Sequence, residues 1–428
     1  MDFFPFADPC IVDWLVGRMN ANVLEVEDLV IGRSAITLSF ACATGSLTRI
    51  IGHNGSGKTM IGRRIAGLVK DGDGQIKVAG QGVSDLSDLE MATRVALVPT
   101  DASLLFSRIG KTLRQEMELV FAFLGRGVKK SELKNTLERF ALIDLADRDP
   151  FSFSGGEKVR AAIAIAVLKR PAVLILDDVF DQLDPNTEKE IHRELDEIRL
   201  ETGMAILELR SRGPRHIIAD DSNWIFLGHD NVLSGSLDDI WRNVADENPD
   251  LLPPMLSLTS FLMAHIPSLE FSSPPHSAVE LAETIEKIGS FSNNGRRLSD
   301  KKQQNHLELS NLSFSYKEKD LFYLGPISVS FSRGRTAVLV GKNGAGKTTM
   351  LRCLANLEKG WTGDISFEKG GPKPSLPLHK WAAHVLYSFQ NPDDQLFLPT
   401  VKEELLETAR RTGRSEERRV GKECRSRW

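Results

Sequence analysis

Residues 50–60 read IIGHNGSGKTM, and this stretch decides what kind of fold the chain can adopt. From Gly52 to Thr59 it follows the pattern G-x-x-x-x-G-K-T, preceded by an apolar run typical of a buried strand. Between a strand and a helix, the backbone N–H groups of such a loop cradle phosphate at the helix N-terminus, and Lys58 would reach the terminal phosphates. The predicted phosphate-binding residues are Gly52, Asn54, Gly55, Ser56, Gly57, Lys58 and Thr59, with Thr59 also binding Mg²⁺.

The same pattern occurs a second time. AVLVGKNGAGKTTM at 337–350 echoes TRIIGHNGSGKTM at 48–60, and HLELSNLSFSY at 306–316 echoes VLEVEDLVIGR at 23–33. The common order predicts two copies of one domain. A glycine-rich turn without nucleotide is the alternative for a single match, but two matches after apolar runs disfavour it. The second set is Gly341, Asn343, Gly344, Ala345, Gly346, Lys347, Thr348 and Thr349, with Thr348 as its Mg²⁺ ligand.

The first copy predicts an α/β core around a mainly parallel sheet, because short β-branched runs alternate with helical patterns. AVLILDD at 172–178 is typical of a buried strand with an acidic end, and residues 113–150 favour a helical subdomain. Residues 241–305 contain Pro-, Ser- and Asn-bearing stretches and favour a linker, partly helical around 278–288. We expect an N-terminal extension at 1–20 and a first domain at 21–240, followed by this linker at 241–305. A second domain that is incomplete would occupy 306–413, and a tail 414–428.

The overall composition disfavours several classes of protein. A formal net charge of −4 gives no electrostatic reason to expect nucleic acid as a partner. The four cysteines are scattered without C-x-x-C spacing, so they suggest neither a disulfide framework nor a metal site, which fits a reducing cytoplasm. The N-terminus lacks the basic leader of a signal peptide, and no apolar run approaches the length of a spanning helix. We therefore expect a protein that is not integral to a membrane but could dock on one.

Residues 151–178, FSFSGGEKVRAAIAIAVLKRPAVLILDD, form the second informative stretch. Glycines near a helix N-terminus allow a ligand to approach closely, and that end of a helix attracts negative charge. Taken alone, the pattern better fits an ordinary helix that is capped by its serine. The strand that follows ends in Asp177, placed like the acid that holds Mg²⁺ in P-loop NTPases. The residues that open the predicted helix are Ser154, Gly155, Gly156 and Glu157.

Together these motifs resemble the ATP-binding-cassette (ABC) ATPases, which have a P-loop NTPase fold with a helical subdomain. The signature of that family reads LSGGQ, and here it reads FSGGE. The resemblance covers roughly residues 21–240 and 306–413, one complete copy and the N-terminal part of a second. It implies ATP and Mg²⁺ as cofactors. It also implies two cassettes paired head to tail, each ATP lying between one cassette's loop and the other's signature helix, so the second cassette is a partner in cis.

The stretch SFQNPDDQLFLPTVKEEL at 388–405 resembles the glutamine loop of the energy-coupling-factor and cobalt-type importer ATPases. Gln390 would then contact Mg²⁺ and the attacking water; the alternative is a polar loop before a helix. Tyr316 stands where the family stacks an aromatic ring on adenine, although a strand tyrosine is more often part of a core. The resemblance implies a transmembrane transporter subunit, a separate substrate-binding membrane component, and a peripheral position on the cytoplasmic face of the membrane.

The first copy departs from this family pattern at four positions. Arg33 replaces the adenine-stacking aromatic residue, Thr100 replaces the glutamine, and Arg210 replaces the switch histidine. Asp178 stands where the family has its catalytic glutamate, and its shorter side chain would reach an attacking water poorly. Four departures in one composite site predict slow or absent hydrolysis there.

We therefore expect an asymmetric pair of composite sites. The first composite site, with Lys58, Thr59 and Asp177, would mainly bind ATP. The second composite site would hydrolyse ATP. It would combine residues of the second copy with the signature of the first copy: Lys347, Thr348 and Gln390 with Ser154, Gly155, Gly156 and Glu157.

Residues 414–428, RSEERRVGKECRSRW, resemble the translation of a common sequencing-adapter DNA. We therefore expect a reading frame truncated near Gly413, and a chain that is not by itself a competent ATPase. One alternative is a soluble tandem ABC ATPase that acts on ribosomes or DNA. A ribosome-associated ATPase of this kind would show a long charged helical linker. A DNA-associated one would show large insertions or zinc-ligand cysteines. The other alternative is a non-catalytic nucleotide-binding scaffold, which Gln390 and the intact second loop disfavour.

Overall fold

In a computed structural model the chain divides into two units, Met1–Ser292 and Asn293–Trp428. The predicted extension at 1–20 and the predicted tail at 414–428 lie outside the described residues. The structure describes residues 22–31, 36–125, 127, 129–181, 183–215, 222–228, 231–244, 248, 251–266, 271, 275, 278–288, 305–316, 323–341, 344–367, 376–382, 384–389 and 395–411.

The first unit is built on two sheets. Its described strands are β1 (Asn22–Ile31), β2 (Ile36–Ala43), β3 (Leu47–Gly52), β4 (Gln75–Val78), β5 (Gln81–Gly82), β6 (Val95–Val98), β7 (Val173–Asp177), β8 (Ala205–Arg210), β9 (Asn223–Leu227) and β10 (Val232–Gly235). One sheet has the order β2-β1-β4-β5 and is antiparallel. The larger sheet has the order β10-β9-β3-β8-β7-β6, with β9 to β6 parallel and β10 antiparallel at the edge.

Helices cover these sheets. They are α1 (Lys58–Ile65), α2 (Asp88–Arg94), α3 (Leu113–Phe123), α4 (Lys130–Arg139), α5 (Gly155–Leu168), α6 (Pro185–Thr202), α7 (Leu237–Val244), α8 (Pro254–His265) and α9 (Ala278–Ile288). The helices α3 and α4 confirm the helical character predicted for 113–150. In the part of the chain that the structure describes, no helix is both long and apolar enough to cross a lipid bilayer.

The central parallel strands bring three loops to one edge of the larger sheet. Every residue of β3, β7 and β8 is buried. Strands buried on both faces have nearly continuous apolar sequences, and the predicted strand in AVLILDD is confirmed. The register pairs Asp177 with Leu209 and Ile51 with Arg210. Because these neighbouring strands are parallel, the chain that follows each of them emerges at the same carboxyl edge, where ligands bind in open α/β sheets.

Two apolar clusters fix the larger sheet from its two sides. One cluster joins the sheet to α3, α4, α5 and α6, through residues such as Leu113, Met117, Leu137, Ala162, Leu176 and Ile191. The other fills the space between the two sheets around α1, through residues such as Leu24, Leu38, Ile50, Ile61, Ile175 and Leu207. The helix α1, which starts at the first phosphate-binding loop, is therefore anchored in a core.

The structure differs from the predicted linker at 241–305. In α7 the apolar residues follow helical spacing and are buried. The chain at 251–256 then packs closely on the rest of the first unit. An added Cβ on Gly213 would lie only 2.3 Å from the nitrogen of Pro253. This segment shares one cluster with β3 and β9, which includes Ile51, Trp224, Trp241, Leu251, Leu252 and Leu256. The first unit therefore extends beyond residue 240, while α9 matches the helix predicted around 278–288.

The second unit contains a three-stranded antiparallel sheet and helices. Its described elements are β11 (Asn305–Ser315), β12 (Tyr323–Ser332), β13 (Thr362–Phe367), α10 (Lys347–Leu354), α11 (Leu378–Trp381) and α12 (Val401–Arg411). The strand order is β12-β11-β13. A small core includes Leu309, Leu312, Phe314, Met350, Ile365 and Trp381. The indole N–H of Trp381 donates to the Leu354 carbonyl at 3.0 Å, which ties α11 to the end of α10.

The strand predicted before the second phosphate-binding loop is not formed. Val338 is 80% exposed and Val340 is 86% exposed, and residues 335–341 have no regular secondary structure. In the first unit the equivalent strand β3 is hydrogen-bonded to β8 and β9. No described residues of the second unit form corresponding strands. A strand without neighbours leaves its backbone groups unpaired, so this apolar sequence does not become a strand here.

Candidate nucleotide-binding site

The first loop, residues 52–59, lies between β3 and α1. Gly55 and Gly57 have φ angles of 85° and 98°, left-handed conformations that residues with a Cβ rarely adopt. Gly52 is constrained by space, because an added Cβ would lie 2.7 Å from Ser56 Oγ and 2.9 Å from the Leu227 carbonyl oxygen. The glycine spacing in the sequence therefore reflects what the backbone of this loop requires.

The ammonium group of Lys58 lies inside its own loop. Lys58 Nζ donates to the carbonyl oxygens of Gly52 at 2.6 Å and His53 at 2.9 Å, and it lies 3.5 Å from Ser56 Oγ. Burial lowers the pKa of Lys58, and neighbouring carboxylates, that of Asp178 foremost, oppose this shift. The cation is thus held at the centre of the loop, where a phosphate group would contact it.

Thr59 and Asp177 form the predicted magnesium-binding pair. Thr59 Oγ1 donates to Asp177 Oδ1 at 3.1 Å. Burial raises the pKa of Asp177, and the hydrogen bond from Thr59 works against that increase. Adjacent ligands of an octahedral Mg²⁺, each about 2.0–2.1 Å from the ion, lie about 3 Å apart. The two oxygens therefore match the spacing and the hard-oxygen chemistry that Mg²⁺ requires.

Asp178 is held by the end of β8. It has a left-handed φ of 50°, and its backbone N–H donates to the Leu209 carbonyl at 2.9 Å. Its carboxylate accepts from the N–H and the hydroxyl of Ser211, at 2.6 Å and 2.5 Å. Ser211 Oγ also lies 2.8 Å from the amide oxygen of Asn54 in the first loop. Sequence spacing gave no signal for Ser211, because its partners lie 33 and 157 residues away.

Arg210 lies at the end of β8 in a different environment from that of a switch residue. Its guanidinium group is buried, donates to Glu188 at 2.7 Å and lies 3.7 Å from a carboxylate oxygen of Glu208. The residue of this strand end that contacts Asp178 is instead Ser211. Arg210, the predicted replacement for the switch histidine, is therefore an ion-paired residue of the core.

Thr100 occupies the predicted glutamine position in the first unit. Its hydroxyl donates to the backbone carbonyl of Asp177 at 3.0 Å. The side chain thus stabilises the end of β7, which carries the predicted metal ligand. Arg33, the predicted replacement for the adenine-stacking residue, lies outside the described residues.

The signature residues form a helix cap. Ser154 Oγ accepts from the Glu157 N–H at 3.4 Å, and the Glu157 carboxylate accepts from the Ser154 N–H at 2.7 Å. This reciprocal capping box starts α5, and Ser154 and Gly155 remain exposed. The structure thus has the ordinary N-capped helix of the alternative interpretation. Ser154 and Gly155 are nevertheless exposed and accessible to a ligand.

The helix α5 is also tied to α6. Arg160 donates to the hydroxyl of Thr187 at 3.2 Å, and that hydroxyl donates to Asp184 at 2.7 Å. Asp184 caps α6 by accepting from the N–H groups of Asn186 and Thr187. The signature helix is therefore hydrogen-bonded to the segment that leads away from Asp177 and Asp178.

The second loop, residues 341–348, repeats the geometry of the first. Lys347 Nζ donates to the Gly341 carbonyl at 2.6 Å, the distance found between Lys58 and Gly52. Gly344 and Gly346 have φ angles of 79° and 87°, like the corresponding glycines of the first loop. The remaining predicted residues of this loop that the structure describes are Ala345, Thr348 and Thr349, the last two in the first turn of α10.

Three further predicted residues of the second copy have different outcomes. Asn343 and Gln390 lie outside the described residues. Tyr316 follows β11, with its ring 40% exposed and packed edge-on against Phe314 at 4.7 Å. Its hydroxyl donates to Glu358 at 3.4 Å. The ring is therefore partly accessible, and adenine stacking by Tyr316 stays a prediction.

Comparison with known proteins decides the family. The ABC transporter family model matches residues 36–181 and 324–424, together more than half of the chain. The chain belongs to the ABC transporter family. Each matched segment contains one of the two phosphate-binding loops, which fits tandem cassettes. The predicted family and its P-loop α/β fold are confirmed.

Individual ABC transporter relatives match different parts of the chain. An ABC transporter ATP-binding protein of Clostridium perfringens is 26% identical over 376 residues, 82% of this chain and 63% of the relative. The energy-coupling factor transporter ATP-binding protein EcfA1 of Lacticaseibacillus paracasei is 33% identical over 198 residues, 44% of this chain and 70% of the relative. The solved structure of cbiO1 from Clostridium perfringens, part of the ABC transporter complex cbiONQ, is 22% identical, with a TM-score of 0.45, covering 57% of this chain and 96% of cbiO1.

The chain spans 63% of the length of the Clostridium perfringens relative that it matches along most of its own length.

Proposed function

We propose that the full-length protein is the ATP-binding and ATP-hydrolysing subunit of an importer of the energy-coupling-factor or cobalt type. One observation carries the proposal: the first loop holds Lys58 at its centre while Thr59 and Asp177 present two oxygens 3.1 Å apart. The second loop repeats the lysine geometry. Similarity to an energy-coupling factor transporter ATP-binding protein supports the importer class.

Each residue of the first loop has a defined part in binding MgATP. Backbone N–H groups of the loop and the N-terminus of α1 would bind phosphate oxygens. Lys58 would exchange its bonds to the loop carbonyls for bonds to the β- and γ-phosphates. Thr59 and Asp177 would hold the magnesium ion, which supplies neutralisation of phosphate charge when it is bound. Thr100 would keep the end of β7 in place.

The two composite sites are proposed to differ in hydrolysis. In the first composite site, Thr100 bonds the backbone and Asp178 is one methylene shorter than the family's glutamate, so both are poorly suited to activate water. The second composite site would combine Lys347, Thr348 and Gln390 with the signature of the first copy. Ser154 and Gly155 at the start of α5 are exposed, which leaves them accessible to a nucleotide.

A surface of the second unit suits the proposed membrane partner. Leu396, Phe397 and Val401 are 61%, 81% and 79% exposed, close together in sequence after the predicted glutamine loop. The Glu404 carboxylate accepts from the N–H groups of Phe397 and Leu398 at 3.1 Å and 2.8 Å, which fixes the loop that presents them. Exposed apolar side chains on a fixed loop are typical of an interaction site. We assign this surface to the transmembrane subunit, beside which a separate membrane component would select the solute.

Coexpression tests this function. We expect the gene of the full-length protein to lie beside one for a multi-spanning membrane protein. The full-length protein should sediment with membranes when the two are coexpressed, and stay in the supernatant without that neighbour. Phe397→Ser with Leu396→Ser should lower the membrane-bound fraction at least about tenfold, because loss of buried apolar area at the centre of an interface weakens it strongly. Leu200→Ser, at a 71% exposed site of the first unit, is the matched control. A full-length protein that stays soluble beside its encoded neighbour would contradict the importer assignment.

A further inference from the structure

Ser211 connects the first loop to the acidic end of β7. It is half-buried and follows β8 directly. Its N–H donates to Asp178 Oδ1 at 2.6 Å, and its Oγ lies 2.5 Å from Asp178 Oδ2 and 2.8 Å from the Asn54 amide oxygen. One serine thus contacts both carboxylate oxygens of Asp178 and a residue of the phosphate-binding loop.

Counting protons defines the direction of these hydrogen bonds. A serine hydroxyl has one proton to donate, while Asp178 and the Asn54 oxygen are both acceptors. All three groups are satisfied when the Asn54 amide turns its NH₂ toward Ser211, which then donates to Asp178. The resulting chain runs from Asn54 through Ser211 to Asp178, and each carboxylate oxygen accepts one bond from Ser211.

Two neighbouring contacts keep Ser211 in this place. The N–H of Asp178 donates to the Leu209 carbonyl at 2.9 Å, so the ends of β7 and β8 are bonded to each other in both directions. On the other side, Arg210 is held in the core by Glu188 at 2.7 Å. The backbone of Ser211 therefore has little freedom to move away from Asp178.

A general base must place a free carboxylate lone pair about 3 Å from the proton-donating water. Asp178 is joined through Ser211 Oγ to Asn54 of the first loop, at 2.5 Å and 2.8 Å, so its carboxylate lies beside the loop that would bind the terminal phosphates. Its two oxygens, however, are directed to Ser211. Each oxygen keeps a second lone pair, but the two bonds from Ser211 fix the orientation of the carboxylate, which is held toward Ser211 and does not turn toward a water at the phosphate site.

We propose that Ser211 is the positioning residue that keeps the first composite site in an ATP-binding, non-hydrolysing state, by holding both carboxylate oxygens of Asp178. This inference rests on the proposed function, and it adds Ser211 to Thr100 and Asp178 as a cause of the asymmetry. Removing the Ser211 hydroxyl frees Asp178 Oδ2 to accept a proton from water, while the backbone N–H of residue 211 still orients the carboxylate.

The test uses the full-length protein with Lys347→Ala, which leaves the first loop as the intact one. ATP affinity is measured with a fluorescent ATP analogue, and turnover is measured as phosphate release. Ser211→Ala should raise turnover by about tenfold or more, since a general base contributes about 10²–10⁴-fold and Asp178 is a short one. The Kd for the nucleotide should change less than about threefold, because no phosphate-binding group is removed. Ser211→Cys, which keeps the side-chain volume but hydrogen-bonds weakly, should also gain turnover.

Three controls separate this role from a structural one. Ser211→Thr keeps the hydroxyl and should show no gain. Ser211→Ala combined with Asp178→Asn should show no gain either, since the base is removed. Ser39→Ala removes another serine–aspartate hydrogen bond, to Asp28, on the exposed surface and should match the parent. A gain in the Asp178→Asn combination, or no gain in both Ser211→Ala and Ser211→Cys with ATP binding retained, overturns the inference.

The same experiment distinguishes failure of the broader proposal. If the Lys347→Ala parent binds no nucleotide, or already hydrolyses ATP as fast as the unmodified protein, the asymmetric function itself is wrong. If the parent binds ATP and turns it over slowly, the function stands and the Ser211 variants alone decide the inference.

Discussion

Lys347→Ala in the full-length protein should lower steady-state ATP turnover at least about a hundredfold, whereas Lys58→Ala should lower it less than about tenfold. A cationic donor that stabilises developing phosphate charge contributes about 10²–10³-fold when it serves the hydrolysing site. In our account Lys347 serves that site. Lys58 serves a site whose Asp178 is engaged by Ser211 and whose glutamine position holds Thr100. The measurement is phosphate release at saturating ATP.

Two further measurements make this comparison informative. Lys359→Ala changes an exposed lysine outside the second loop and should leave turnover at the wild-type rate. Nucleotide affinity should fall in both loop variants, since each lysine would contact phosphate in its own loop. Equal losses of turnover, or a larger loss in Lys58→Ala, would show that the first loop hydrolyses ATP and that the sites are assigned the wrong way round.

Glu208→Gln should lower the free energy of unfolding of the first unit by about 3–5 kcal/mol, the range for removing one partner of a buried ion pair. Glu208 is 1% exposed, accepts from Arg49 at 3.1 Å, and lies 2.8 Å from His192 Nε2 and 3.7 Å from Arg210. Without the carboxylate, the guanidinium groups of Arg49 and Arg210 lose a common buried counter-charge, and His192 loses a hydrogen-bonding partner. Urea unfolding at pH 7, monitored through the buried tryptophans, measures the loss.

The pH dependence gives this prediction a second test. Burial alone would raise the pKa of Glu208, but the charges of His192 and Arg49 outweigh burial and hold the pKa below its ordinary value of 4.5. Because the pKa is lower in the folded than in the unfolded state, the stabilisation is complete above about pH 4.5 and is lost as pH falls toward the folded-state pKa. The difference between wild type and Glu208→Gln should therefore shrink below about pH 4.5.

A surface substitution is the matched control for Glu208. Asp88, which is 91% exposed, pairs with Lys70, and exposed pairs add little to stability. Asp88→Asn should therefore leave the urea midpoint unchanged, both at pH 7 and below about pH 4.5. A Glu208→Gln variant that unfolds at the wild-type midpoint would mean that the buried cluster contributes nothing.

Local sequence was sufficient to predict the parts of the site whose geometry is local. The two loops, the helices after them and the acidic end of β7 follow from glycine placement and from one apolar strand. The cap formed by Ser154 and Glu157 likewise lies within four residues. Such features depend on backbone requirements that single residues reveal.

Other features depend on contacts that spacing does not show. The Ser211 network joins three segments distant in sequence, and the ion pairing of Arg210 depends on Glu188 in another element. The stretch NPDLLPP suggested a linker because of its prolines, yet Leu251 and Leu252 are buried against β3 and β9. The predicted strand before the second loop fails for the opposite reason, since an apolar sequence needs neighbouring strands to pair with.

A single-turnover measurement shows directly whether the first loop binds ATP without hydrolysing it. Full-length Lys347→Ala is mixed with limiting α-labelled ATP and Mg²⁺, quenched over time, and the bound nucleotide is identified as ATP or ADP. The nucleotide bound to Lys347→Ala should remain ATP over many wild-type turnover times, whereas Lys58→Ala should convert its bound ATP to ADP. Conversion of the bound ATP to ADP by Lys347→Ala within a few wild-type turnover times would contradict this expectation.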